Sequence, residues 1–187
     1  MRKTLLRPPL LVALVSVVLA AGASADQRDP TLPTLFKFLK SATHSDQASL
    51  VEDKIWEIWS MTGDPKLDRL MATSSAAMER GDYPAAIKDI DEIVRAKPDF
   101  AEGWNKRATL YYLMGNYEQS LADIDYTLEL EPRHIGALSG LGLVNIRMER
   151  EEAAADAFER VLRIDPQSVS ARNNLAIVQD LLKRKQI

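Results

Sequence analysis

Residues 101–134 read AEGWNKRATLYYLMGNYEQSLADIDYTLELEPRH, and Pro132 near the end has counterparts at Pro98 and Pro166, each 34 positions away. Each proline closes an apolar-periodic stretch: IVRAKP at 93–98, LELEP at 128–132 and LRIDP at 162–166. The same frame aligns Ser74, Ala108, Gly142 and Ala176, all small. It also aligns Leu70, Trp104 and Leu138; Ala86, Ser120 and Ala154; Ile90, Ile124 and Phe158; and Ile93, Thr127 and Val161. Gly81-Asp82-Tyr83 matches Gly115-Asn116-Tyr117. A fixed period of this length means one supersecondary unit repeated along the chain.

The spacing predicts a helical hairpin per unit. Leu70, Ser74 and Ala77 share one face of a first helix. Gly81 stops it, because glycine takes the left-handed conformation at a helix end without strain. Asp82 suits the N-cap of the next helix and Pro84 its first turn. Ala86, Ile90, Ile93 and Val94 form the second helix's apolar stripe. Pro98 ends the unit, since proline cannot donate the next helical hydrogen bond. One hairpin cannot bury its stripe alone, so successive hairpins must stack.

These columns resemble the tetratricopeptide repeat, whose pattern is Trp-x2-Leu-Gly-x2-Tyr, then Ala-x3-Phe, then Pro. Trp104, Ala108, Tyr111, Ser120, Ile124 and Pro132 carry it in 101–134; Leu138, Leu141, Gly142, Ala154, Phe158 and Pro166 in 135–168; Leu70, Ser74, Ala77, Ala86, Ile90 and Pro98 in 67–100. The resemblance implies an all-α, right-handed α-solenoid of stacked helix-turn-helix repeats, with 169–187 as a C-terminal capping helix. Arg107 and Thr73 stand where the family usually has leucine. Glu149 replaces the loop glycine of the third repeat, which leaves that turn open to a different geometry.

Upstream the frame fades. Residues 26–66 read as an N-terminal helical segment, with a degenerate repeat as the other reading. Its helical pair at 33–61 is expected to close the N-terminal end, with Trp56 and Trp59 packed on the first repeat. The competing reading makes the two indoles an exposed pair that docks a partner. Residues 26–32 read as a flexible leader. Before them, Arg2, Lys3 and Arg7 precede a twelve-residue run, Leu10 to Ala21, and then Ala23-Ser24-Ala25. That is the layout of a secretory signal peptide over 1–25, cut before Asp26. A membrane span needs roughly 20 apolar residues, so stable membrane insertion is not expected after cleavage. The protein is expected in the periplasm or secreted.

Composition removes several classes of function. The 187 residues are 46% hydrophobic and 27% charged, with net charge −3 and no cysteine. Disulfides and thiolate metal sites are excluded. Loss of the leader removes only positive charge, and an acidic remainder does not suit nucleic acid. The two histidines, His44 and His134, have no ligand cluster beside them and read as surface residues. No phosphate loop or nucleophile elbow is present. No catalytic residue, metal or cofactor is expected.

In the family the first helices of successive repeats line a concave face. By that resemblance the ligand groove falls on Met71 and Ser75; Asn105, Thr109 and Tyr112; Ser139 and Leu143; and Asn173 and Ile177. Amides and hydroxyls there suit a backbone, and apolar positions suit side chains. The family's acid clamp is missing, because Met71, Ser75, Gly136 and Gly140 occupy its positions. Gly136 and Gly140 leave bare backbone that a partner could approach. The expectation is a non-catalytic adaptor or scaffold of the bacterial envelope that binds a peptide or protein. The second reading is a homo-oligomer, self-associating through the Trp-bearing helices or the C-terminal helix.

Overall fold

The computed structural model describes residues 26–185, so the expected signal peptide at 1–25 lies outside the described residues. Among the described residues the chain forms nine α-helices and no strand. They are α1 (Leu32–Ser41), α2 (Ser45–Trp59), α3 (Pro65–Glu79), α4 (Tyr83–Ala96), α5 (Ala101–Leu113), α6 (Tyr117–Leu130), α7 (Ile135–Arg147), α8 (Glu151–Ile164) and α9 (Val169–Lys185).

Local chemistry sets the hairpins α3/α4, α5/α6 and α7/α8. Asp64 caps α3 through the Lys66 N–H at 2.7 Å, and Asp82 caps α4 through the Ala85 N–H at 3.2 Å. Such caps are each worth about 1 kcal/mol. The three turns share one design. Gly81, Gly115 and Glu149 have φ of 74°, 78° and 56°. The next residue then donates back to the first helix: Asp82 to Ala77, Asn116 to Tyr111 and Arg150 to Asn145, at 2.8–2.9 Å. The Glu149 turn therefore keeps the geometry of the glycine turns. A side chain in the left-handed region costs roughly 1–2 kcal/mol, which the surrounding hairpin absorbs.

The small columns are where paired helices touch. Ser74 Oγ donates to the Ala86 carbonyl at 3.1 Å, and Ser120 Oγ to the Ala108 carbonyl at 2.8 Å. In the third hairpin both hydroxyls are gone, and the Phe158 ring lies flat on Gly142 instead. A Cβ at Gly142 would sit 2.4 Å from Phe158 Cζ. Arg107, where leucine is usual, ties α5 to both flanking helices. Its guanidinium binds Asp123 of α6 at 2.7 and 2.8 Å and Asp91 of α4 at 2.9 Å. It also lies over the Trp104 ring, 4.7 Å from the centroid.

The N-terminal helical pair does not close the first repeat. With the residues just before it, the pair folds back across the two turns that join the hairpins and the turn between α8 and α9. Asp26 pairs with Lys97 at 3.2 Å, and Gln27 Oε1 accepts from the Ala101 N–H, both at the first turn. At the second, the Phe36 ring lies under the Arg133 guanidinium at 4.1 Å, and Trp59 stacks on His134 at 4.2 Å. At the third, Gln167 Nε2 donates to the Ala42 carbonyl. Leu32, Phe36, Leu39, Ile55, Ile58 and Trp59 share a core with Ile135, Leu138, Val161 and Ala171. The expected flexible leader is therefore fixed, with Asp26 fully buried. Trp56 and Trp59 pack against the third repeat rather than the first. Burying each large aliphatic or Phe side chain contributes roughly 1.5–3 kcal/mol, and an exposed pair such as Arg28–Asp99 about 0–1. The apolar face, not the ion pairs, holds the pair of helices in place.

At the other end, α9 lies on α8, with Val178 packed against Ala154 and Phe158. Lys185 reaches back to Glu151 at 2.6 Å.

Candidate functional site

A hollow of about 150 Å³ lies between α5 and α7. Asn105, Ala108, Thr109 and Tyr112 form one wall, Gly136, Ser139, Gly140 and Leu143 the other, and Ser120 and Ile124 of α6 the floor. Gly140 creates the opening. A Cβ there would lie 3.5 Å from Ile124 Cδ1, so any larger side chain would cover the floor.

Five of the nine expected groove residues meet in this hollow: Asn105, Thr109, Tyr112, Ser139 and Leu143. The others are placed elsewhere. Met71 is 6% exposed and packs in the core of the first hairpin with Leu67 and Ile90. Its side chain follows the apolar stripe, so it offers a ligand nothing. Ser75 is half-buried, with Lys106 Nζ at 3.4 Å from its hydroxyl. Asn173 and Ile177 are exposed on α9 and do not line the hollow.

Several polar groups expected to read a backbone are already engaged. The Asn105 amide donates to Glu102 Oε2 at 2.7 Å, and Thr109 Oγ1 donates to the Asn105 carbonyl at 2.9 Å. Ser139 has no partner within the chain among the described residues, and the Tyr112 phenol, which accepts from Arg147, keeps its own proton to donate. The chemistry of the hollow is thus more apolar than its sequence suggests.

The two ends of the hollow differ. At the start of α7, the Trp56 indole fills the space over Gly136. A Cβ there would lie 2.6 Å from Trp56 Cη2. Behind it sits a buried group that the sequence did not announce. His134 is fully buried, not a surface residue; its Nδ1 caps α7 by accepting from the Ala137 N–H at 3.2 Å. Its Nε2 lies 3.2 Å from Glu102 Oε2, close enough for an ion pair but poorly angled for a hydrogen bond. A ligand therefore meets a closed wall here. The far end is open. Tyr112 faces Arg147, whose Nε is 3.3 Å from the phenol oxygen, and Leu113 and Met114 lie exposed beside them. The hydrogen bond to the phenol raises the Arg147 guanidinium's pKa further, and like any arginine it is charged throughout the working pH range. Among the described residues, no His, Asp or Glu cluster could hold a metal ion.

Where the wall meets the third inter-repeat turn, two carboxyl groups face each other. Burial pushes Glu52 and Asp165 above the usual carboxylate range, and Asp165's charge raises Glu52 further. Trp56 Nε1 donates to Glu52 Oε1 at 3.3 Å and opposes that rise. A carboxyl whose pKa is raised by folding gives stability that is present at low pH and lost as pH rises through the folded value. This pair's contribution to the docking of the N-terminal helices should therefore be full below the ordinary carboxylate range and fall as pH rises through the folded values toward neutral. Glu52→Gln keeps an acceptor for Trp56 and removes the like charge. Thermal melts at neutral pH should place it at or slightly above the parent, with a flatter response to acid. A variant that melts lower would mean the charge is needed.

Sequence reasoning missed Trp56 as a wall and Arg147 as a rim. The free glycine at 136 was the one local sign of the first. Nothing local marked the second, because Arg147 is simply the last residue of its helix.

Known proteins share the helical-repeat fold. A family model described as tetratricopeptide repeat matches residues 71–113 and 105–169. A TPR repeat-containing protein of Rhizobium etli is 40% identical over 97 residues, which are 52% of this chain and 46% of that one. The chain thus spans about half the length of the curated relative it matches. Among solved structures, the first TPR of Spaghetti (RPAP3), bound to HSP90 peptide SRMEEVD, superposes with a TM-score of 0.61. It is 23% identical and covers 63% of this chain and 94% of its own. The Sgt2 TPR domain from Aspergillus fumigatus gives a TM-score of 0.63 at 23% identity, over 66% of this chain and 83% of its own. At these identities the likeness shows the fold.

Proposed function

Since the chain belongs to the tetratricopeptide-repeat family, we propose that it is a non-catalytic interaction module that holds a peptide or protein segment in the hollow between α5 and α7. The observation that carries this reading is the hollow itself, open at Tyr112 and Arg147 and unfilled by the chain's own side chains. A related fold bound to a peptide supports the class of ligand. A photoreactive group at Tyr112, introduced in the native cell, should capture a protein partner. The same group at Glu129, exposed on α6, should not. Equal capture from both positions would move the binding face elsewhere.

We further propose that the module works outside the cytoplasm, as an adaptor of the bacterial envelope. The positive head, short apolar run and Ala23-Ser24-Ala25 support this. No helix among the described residues is long and apolar enough to cross a membrane. N-terminal sequencing of the protein from its native host should begin at Asp26. A first residue before Leu10 would make the apolar run part of the working protein. Self-association through the tryptophan pair is not proposed, because Trp59 is 1% exposed.

A further inference from the structure

We infer that the segment held in the hollow carries one aliphatic side chain and, beside it, a carboxylate. This rests on the groove reading and adds the chemistry of the ligand. The hollow measures about 150 Å³ and is lined by Ala108, Ile124 and Leu143, with bare backbone at Gly140. An apolar cavity of about that size accepts a benzene ring, so it takes one side chain and not a helix. The wall at Trp56 prevents the ligand from running on past Gly136. The segment must therefore leave over the open end, and there it meets Arg147.

Arg147 has a single polar contact, from Nε to the Tyr112 phenol. No described carboxylate lies within ion-pair distance of it, whereas Arg107 has two and Arg133 and Arg184 have one each. Other exposed arginines such as Arg150 are unpaired too, but Arg147 lines the dip beside the hollow. Its two terminal amino groups form a fork suited to a carboxylate. Tyr112 lines both the hollow and the dip at Arg147, so the apolar anchor and the acid are neighbours on the ligand. The Arg147 site is distinct from the missing clamp positions, which hold Met71, Ser75, Gly136 and Gly140.

The test uses the full chain and fluorescein-labelled peptides with a Gly-Ser background. Each carries one leucine and one glutamate, one to three residues apart. Control peptides replace leucine by alanine or glutamate by glutamine. At least one leucine–glutamate peptide should bind, and both controls should bind more weakly. Gly140→Leu should abolish binding by filling the hollow, and Gly140→Ala should weaken it, with folding of both checked by melting. Arg147→Gln should reduce affinity about fivefold, the scale of an exposed ion pair, and erase the preference for glutamate over glutamine. Added salt should shrink that preference. A glutamate preference that survives in Arg147→Gln overturns the inference. So does a panel in which nothing binds. Binding that is lost in Gly140→Leu but indifferent to glutamate removes the carboxylate and leaves the groove reading standing. Binding unchanged in folded Gly140→Leu removes both.

Discussion

Gly142→Leu is expected to melt well below the parent, while Glu152→Leu melts with it. The Phe158 ring occupies the place a side chain at 142 would need, with Cζ, Cε1 and Cε2 at 2.4, 2.6 and 2.8 Å from a Cβ. Phe158 is fully buried and shares a core with Val178 and Ala154, so the ring has nowhere to turn. Overpacking costs roughly 1–3 kcal/mol, and this site belongs at the upper end. For a chain of this size about 3 kcal/mol lowers Tm by roughly 6–12 °C. Loss of the α7/α8 contact also strips support from α9 and from the N-terminal helices that rest on Ile135, Leu138 and Val161. Glu152 is exposed and touches none of this. Equal melting temperatures would mean that α7 and α8 do not cross at Gly142.

The second large effect runs against the family pattern. Arg107→Leu restores the residue usual at that position, yet it should destabilise the protein by about 2–3 kcal/mol. Asp123 is 7% exposed and takes two bonds from the guanidinium. Leucine would leave that carboxylate buried and unpaired, which costs far more than the new methyl groups return. Asp91 is 39% exposed, and water can replace its bond. The double variant Arg107→Leu with Asp123→Leu should recover most of the loss, since a packed apolar pair can match a buried ion pair. Chemical denaturation of the four proteins measures the coupling. A single variant as stable as the parent would show that the Arg107 bridge carries no stability.

The hairpins were legible because their cause is local and repeated. A small residue, a left-handed turn, a cap and a closing proline recur at one spacing, and each constrains only its neighbours. Even the Glu149 substitution left the turn intact, because the hydrogen bond from Arg150 to Asn145 depends on backbone alone. The position of α1 and α2 was not legible. It depends on side chains distant in sequence: Trp56 over Gly136, Trp59 on His134, Ala42 against Gln167. No period links such pairs, and a stack built in sequence order was the default. The burial of His134 followed from the same contact. The groove was half legible for a related reason. The family resemblance placed Asn105, Thr109, Tyr112, Ser139 and Leu143 in one groove, but it could not tell that Met71 turns into the core or that Glu102 already holds the Asn105 amide.

The groove of this solenoid is walled at Gly136 by its own N-terminal helices and, among the described residues, opens beyond Gly140. The contact between Trp56 and Gly136 tests this most directly. In nuclear Overhauser spectra of the folded chain, the Trp56 ring protons should show strong cross-peaks to the Gly136 α-protons, which the indole current should shift upfield. Cross-peaks from Trp56 only to the first hairpin, at Leu67 or Leu70, with Gly136 at ordinary shifts, would contradict it.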